Sequence, residues 1–111
     1  MIEEIVLNYL LNRLDVPICT ERPEEKTAKY IIVEKIGSSN SNTIVSSTIA
    51  VKSYASTLYG AAELNEDMKE VMAELVLLDE IIKCELNTDY NFTDPDTKEY
   101  LYQAIFNINH Y

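Results

Sequence analysis

The spacing of apolar residues shifts between a helical period and strict alternation along the chain, and the shifts mark out its elements. Ile2, Ile5, Val6, Tyr9 and Leu10 recur at helical spacing with Glu3, Glu4, Asn8 and Asn12 between them. This predicts a first amphipathic helix ending near Asp15-Val16-Pro17, with its two early glutamates at the positive end of the helix dipole. Pro17-Ile18-Cys19-Thr20 suits a short edge strand, and the charged, Pro-interrupted Arg22-Pro23-Glu24-Glu25-Lys26 a loop. Tyr30 to Ile36 reads as a strand buried on both faces in its first half. Gly37 to Asn42, a run of Gly, Ser and Asn, predicts a turn or a mobile hairpin tip. Thr43 to Tyr54 is rich in β-branched residues, and Val45, Ile49 and Val51 alternate there with Ser46, Thr48 and Lys52. It predicts a long strand paired antiparallel to the one before.

From Leu58 the helical period returns, with Ser56 or Thr57 as N-cap and Leu58, Ala61, Ala62, Met68, Met72, Leu75 and Val76 on one side. The helix is expected to give out around Leu77 to Glu80. Ile81 to Leu86 then suits a strand, and Asn87 to Lys98, with Asp94-Pro95-Asp96 at its centre, a second polar loop. Tyr100, Tyr102, Ala104, Phe106 and Ile108 line one side of a final strand, with Gln103, Asn107 and Asn109 on the other. The pattern therefore predicts a single α+β domain over residues 1–111. Its mainly antiparallel sheet has four to five strands with two helices packed against it, in the order α-β-β-β-α-β-β.

Charge adds a constraint that the pattern does not. The net charge is −10, and it is unevenly placed: seven acids face six bases up to Ala55, whereas twelve acids face three bases from Ser56 onward. Such a surface repels phosphates, which argues against specific binding to nucleic acid. Within the second helix Glu63, Glu66, Asp67, Glu70 and Glu74 cluster in an arc opposite the apolar side. One reading is a solvated helix face; a sharper one is a negative wall facing a channel, along which DNA slides without sticking. Tyr59, near that arc, is a candidate for protein contact, whereas Tyr100 and Tyr102 are expected in the core.

Candidate chemistry is sparse. His110 is the only histidine, and beside the end of the sequence it is expected to be a solvated side chain, not a catalytic base. Cys19 and Cys84 lack CxxC spacing and read as two buried thiols of a reducing cytoplasm. Asp89, Asn91 and Thr93 mimic the first ligand positions of a calcium loop, but Asp94 stands where glycine is required and Tyr100 where the bidentate glutamate belongs. Gly37 and Gly60, the only glycines, form no phosphate loop. No long apolar run suits a bilayer and Met1-Ile2-Glu3-Glu4 is not a basic leader, so neither secretion nor membrane contact is expected. The Asn91-Phe92-Thr93 glycosylation triplet then reads as coincidence. No cofactor is expected, and an enzyme is the least favoured class.

Several segments together resemble the tail terminator, or tail-to-head joining, family of siphophage tail-completion proteins. They are Met1-Ile2-Glu3-Glu4, Ile32-Val33-Glu34-Lys35-Ile36-Gly37-Ser38-Ser39, Ser53-Tyr54-Ala55 and Leu58-Tyr59-Gly60-Ala61-Ala62-Glu63-Leu64-Asn65, followed by Leu86 to Asp94 and Tyr100-Leu101-Tyr102-Gln103-Ala104. They cover most of the chain in order, although Leu101 stands where a basic residue is expected between the two tyrosines. The resemblance implies a structural virion protein of the tail or neck, made in the host cytoplasm. It implies a hexameric ring that meets the major tail tube protein below and the head-completion protein above, with DNA passing through. Candidate interface residues are Tyr59 with Gly37, Ser38, Ser39 and Asn40 in the first loop and Asn91, Phe92 and Asp94 in the second. Both loops are expected to order on docking. A head-side stopper or adaptor, or a small acidic regulator of a host protein, are the rival readings.

Overall fold

Alternation in the strands and helical spacing between them leave one apolar face on each element, and burying those faces against one another produces two layers. The computed structural model describes residues 1–24 and 27–111. Glu25 and Lys26, part of the loop expected at Arg22 to Lys26, lie outside the described residues. The helices are α1 (Ile2–Leu11) and α2 (Leu58–Met72). The strands are β1 (Ile18–Cys19), β2 (Lys29–Ser41), β3 (Ile44–Ala55), β4 (Ile81–Asn91) and β5 (Tyr100–His110). They form one sheet in the order β1-β2-β3-β5-β4. β1 runs parallel to β2, and every other neighbouring pair is antiparallel. The chain is thus α+β, with its elements in the predicted order.

Both helices cover the same face. Val6 and Leu10 of α1 and Leu64, Met68 and Met72 of α2 meet Val33, Ile49, Val51, Phe106 and Ile108 of the sheet in one core. Each such side chain stabilises the fold by about 1.5–3 kcal/mol when fully buried. Thr57 caps α2 by accepting the Gly60 N–H at 3.0 Å. A Cβ on Gly60 would lie 3.0 Å from Thr57 Oγ1 and 3.2 Å from Ala55 Cβ, so glycine here lets the helix sit close on β3. The opposite face of the sheet carries a smaller cluster of Tyr30, Ile32, Tyr54 and Leu101. In it Tyr30 and Tyr54 stack at 4.5 Å.

Several predicted boundaries are corrected. α1 stops at Leu11, short of Asp15, because the N–H groups of Arg13 and Leu14 both turn back to Leu10 O and redirect the chain toward β1. α2 stops at Met72 and passes into a 3-10 turn at Leu75–Leu77. On α2 Leu64 and Asn65 are buried and Leu58 is exposed, and Val76, now in the 3-10 turn, is exposed as well. Gly37 to Ser41 is strand, not loop: the reversal is confined to Asn42 and Thr43, and Ser41 pairs with Ile44. Asn42 takes φ 61°, a left-handed conformation that Asn tolerates. Asn87 to Asn91 is likewise strand, its partners running from Ile105 back to Tyr102, and the loop shrinks to 92–99. In both places a β-rich partner strand overrides weak local propensity. Tyr100 and Tyr102 are half-buried, not core, and the thiols of Cys19 and Cys84 are free and half-buried. Burial pushes the Cys84 thiol up to about 11.

Candidate functional site

The acidic arc is real as a surface. Glu63, Glu66, Asp67 and Glu70 lie exposed on the side of α2 turned away from the sheet, because the buried side is fixed by Ala61, Leu64, Met68 and Met72. Glu74, expected on the same helix, is exposed but lies beyond its end, at the start of the 3-10 turn. At its margin Lys69 bridges Glu66 at 3.0 Å and Asp89 of β4 at 2.9 Å. Asn65 donates to the same Asp89 oxygen at 2.9 Å. The Lys69 bond holds the Asp89 carboxyl below its ordinary range, and Asp89 in turn raises the Lys69 ammonium. Lys29 reaches Glu63 at only 4.0 Å. Asp67, Glu70 and Glu74 have no cation within ion-pair distance among the described residues, so the outer face keeps its negative charge. Tyr59, at the start of the same helix, is 78% exposed.

Gly37, Ser38, Ser39 and Asn40 lie on the distal part of the β2–β3 hairpin, all exposed. A Cβ on Gly37 would meet open space. Asn91, Phe92 and Asp94 gather at the far end of β4, away from that hairpin tip in the register of the sheet. Asn91 Oδ1 accepts the Thr93 N–H at 3.0 Å and Asp94 Oδ1 the Asp96 N–H at 2.9 Å. Those turns hold the loop by its own side chains, and the Asp96 bond lowers the Asp94 carboxyl. Phe92 is 53% exposed and meets Tyr90 edge-on at 5.7 Å. The two sets of interface candidates therefore sit at opposite ends of a body 43 Å long, one on a strand tip and the other at a self-capped turn.

The calcium-like trio is dispersed, since Asp89 turns to Lys69 while Asn91 and Thr93 bond to each other. Among the described residues no group of three or more His, Cys, Asp or Glu is placed to hold a metal ion.

Two arrangements were not anticipated from the sequence. His110 is buried, not solvated, because β5 runs to the end of the ladder and pairs it with Val45 and Ile81. Its Nε2 lies 2.8 Å from Ser47 Oγ and its Nδ1 3.1 Å from Tyr111 O. A carbonyl only accepts, so Nδ1 donates there, and in the neutral ring Nε2 accepts the Ser47 hydroxyl. That polarity would suit a serine nucleophile, but Ser47 is 2% and His110 8% exposed. With the hydroxyl shut away from substrate, the pair acts as a clamp between β3 and β5. On the open face, Arg22 Nη1 meets both Glu99 oxygens at 2.6 and 2.7 Å. That pair borders a cleft of about 360 Å³ shared with Lys52, Tyr54, Phe92 and Leu101. Its partners are far apart in sequence, and only the sheet register joins them.

No protein-family model matches the chain, and no curated protein shows a significant likeness to it.

Proposed function

We propose that this chain is a structural subunit of a tailed bacteriophage, a tail terminator that caps the tail tube as a ring and offers a docking surface to the head connector. The observation that carries the reading is the uneven sheet. One half is locked under two helices, while the hairpin tip at Gly37 to Ser46 extends beyond them with its side chains largely exposed. A projecting strand pair on a rigid body provides what a ring subunit needs: a fixed shape with surface left for neighbours. The acidic arc from Glu63 to Glu74 supports the same reading, as a wall that DNA passes without adhering. The order of elements and the segments that resemble the family lend it further support.

Particles assembled without the protein test the proposal. Tails should grow abnormally long and fail to join heads, and adding purified protein to tails of normal length should restore joining. Tails of normal length in its absence would contradict the terminator role. Capture by purified heads and not by tails would move the protein to the head side of the neck.

A further inference from the structure

We infer that copies of this chain join head to tail, with β4 of one against the outer edge of β2 of the next, so that the sheet continues from subunit to subunit. The inference deepens the ring proposed above and relies on it for closure. It starts from the two edges of the sheet. β1 is only two residues long and pairs with Ile31 and Ile32, which leaves the outer edge of β2 open further along. β4 has a neighbour on one side only. The Ile31 N–H points outward to Pro17 O, and alternation along the strand turns the backbone of Lys35 outward as well. At the other edge the Phe92 N–H points inward to Leu101 O, so the backbone groups of Asp89 and Asn91 face away from the sheet. Both edges thus present unpaired donors and acceptors, the template for adding a strand.

Strand direction fits a heterologous joint. Three successive antiparallel pairings separate β2 from β4, so the two run in opposite senses. Rotating a copy about an axis along the strands preserves direction, and the new β4–β2 pair is then antiparallel like the other long pairs of the sheet. Repetition of such a joint gives a ring when the rotation between copies divides a full turn, which is the closure the proposed ring supplies.

Charge selects this joint over β4 against β4. The β4 edge stays acidic after its own ion pairs, Glu85 with Lys83 and Asp89 with Lys69, because Lys69 is shared with Glu66 and Asp79 and Glu80 just before the strand have no cation within ion-pair distance among the described residues. A like-with-like contact would oppose these acids. On β2, Glu34 is already neutralised by Lys52 at 2.9 Å, and Lys35 has no carboxylate within ion-pair distance among the described residues. The β2 edge therefore offers a cation to an acidic mate. Contact through the outer faces of α2 would set two acidic arcs together, which charge disfavours. Apolar side chains left half in water add to the match: Ile36 on β2, and Ile82, Leu86, Tyr90 and Phe92 on or beside β4. The register slips at Ile36 on β2 and at Ile82 and Asn87 on β4 bend each edge away from an arbitrary extended chain, so the joint calls for a mate of matching curvature.

The test uses two variants of the full chain in a Cys19→Ser, Cys84→Ser background, Ser39→Cys on β2 and Lys83→Cys on β4, which the ladder register places level with each other. Both positions are exposed. The two proteins are mixed and treated with a short bis-maleimide, alone and on isolated tails, after circular dichroism confirms the fold. The mixed Ser39→Cys with Lys83→Cys product should dominate over either self-product. Adding Lys35→Glu should lower it roughly tenfold at low ionic strength, with partial recovery in high salt. Self-products equal to the mixed one, absence of the mixed product in solution and on tails, or indifference to Lys35→Glu would overturn the joint. If the mixed product forms but tails are not capped, the joint stands and the terminator reading falls. If tails are capped with no mixed product, the terminator reading stands and the joint falls.

Discussion

The two ends of the β2–β3 ladder are one pair of strands held by different forces. At the root, Tyr30 to Val33 pair with Val51 to Tyr54 and are buried on both faces. At the tip, Gly37 to Ser41 pair with Ile44 to Thr48, where water reaches most side chains. The register slip at Ile36 divides them. The root is stabilised by apolar burial, which is large and non-directional. The tip rests on its backbone ladder and on surface bonds such as Ser46 Oγ to Asn109 Oδ1 at 2.8 Å, each with a net contribution of about 0.5–1.5 kcal/mol. Stability and surface for partners are thus lodged in separate parts of the same strands.

The largest effect should come from the root's cover. Met68 is fully buried between α2 and the sheet. Met68→Ala should cost about 2–5 kcal/mol in urea unfolding, through lost transfer energy and the cavity left behind. Ser39→Ala at the tip should stay within about 0.5 kcal/mol. Similar losses at both sites would dissolve the distinction.

A second contrast concerns pH. The Lys69 and Asn65 contacts lower the Asp89 carboxyl, so the folded state binds its proton less readily than the unfolded chain. Its contribution is complete above the unfolded carboxylate range and is lost as pH falls through the lower folded value. Asp89→Asn should therefore reduce stability at neutral pH and flatten the acid limb of a stability-against-pH curve. Tip residues have no comparable group: between Gly37 and Ser46 the chain carries no ionisable side chain, so substitutions there should shift that curve without changing its shape.

These same regions explain how much was legible beforehand. Where burial imposed a period, as in Tyr30 to Val33 and along α2, the elements could be read directly. A cap at Ser56 or Thr57, resolved to Thr57 by the structure, and the acidic arc followed from that period. Gly37 to Ser41 and Asn87 to Asn91 could not be read as strand, because their order is imposed by β3 and β5 and not by their own side chains. The buried His110 was hidden for a related reason. Nothing near it in sequence forecasts that β5 would continue far enough to bring it against Ser47, 63 residues away. Of the candidate site, the acidic face was visible in the period, whereas the open edges emerged only with the strand order. An edge is a property of topology, and no local run of residues encodes it.

The subtlest prediction asks whether the tip opens on its own. Asn42 sits at φ 61° in the reversal, a conformation that costs a β-branched residue roughly 1–2 kcal/mol. If tip and root form one cooperative unit, Asn42→Val should lower global stability by that full amount. If the tip opens locally, the strain is relieved by fraying of Gly37 to Ser46, and the global urea midpoint should hardly move. Amide exchange should then speed up about tenfold in the tip, the factor that 1.4 kcal/mol represents, with no change at Ile31, Val33 or Val51. Uniform acceleration through root and tip would mean that the helices' hold extends past the slip at Ile36.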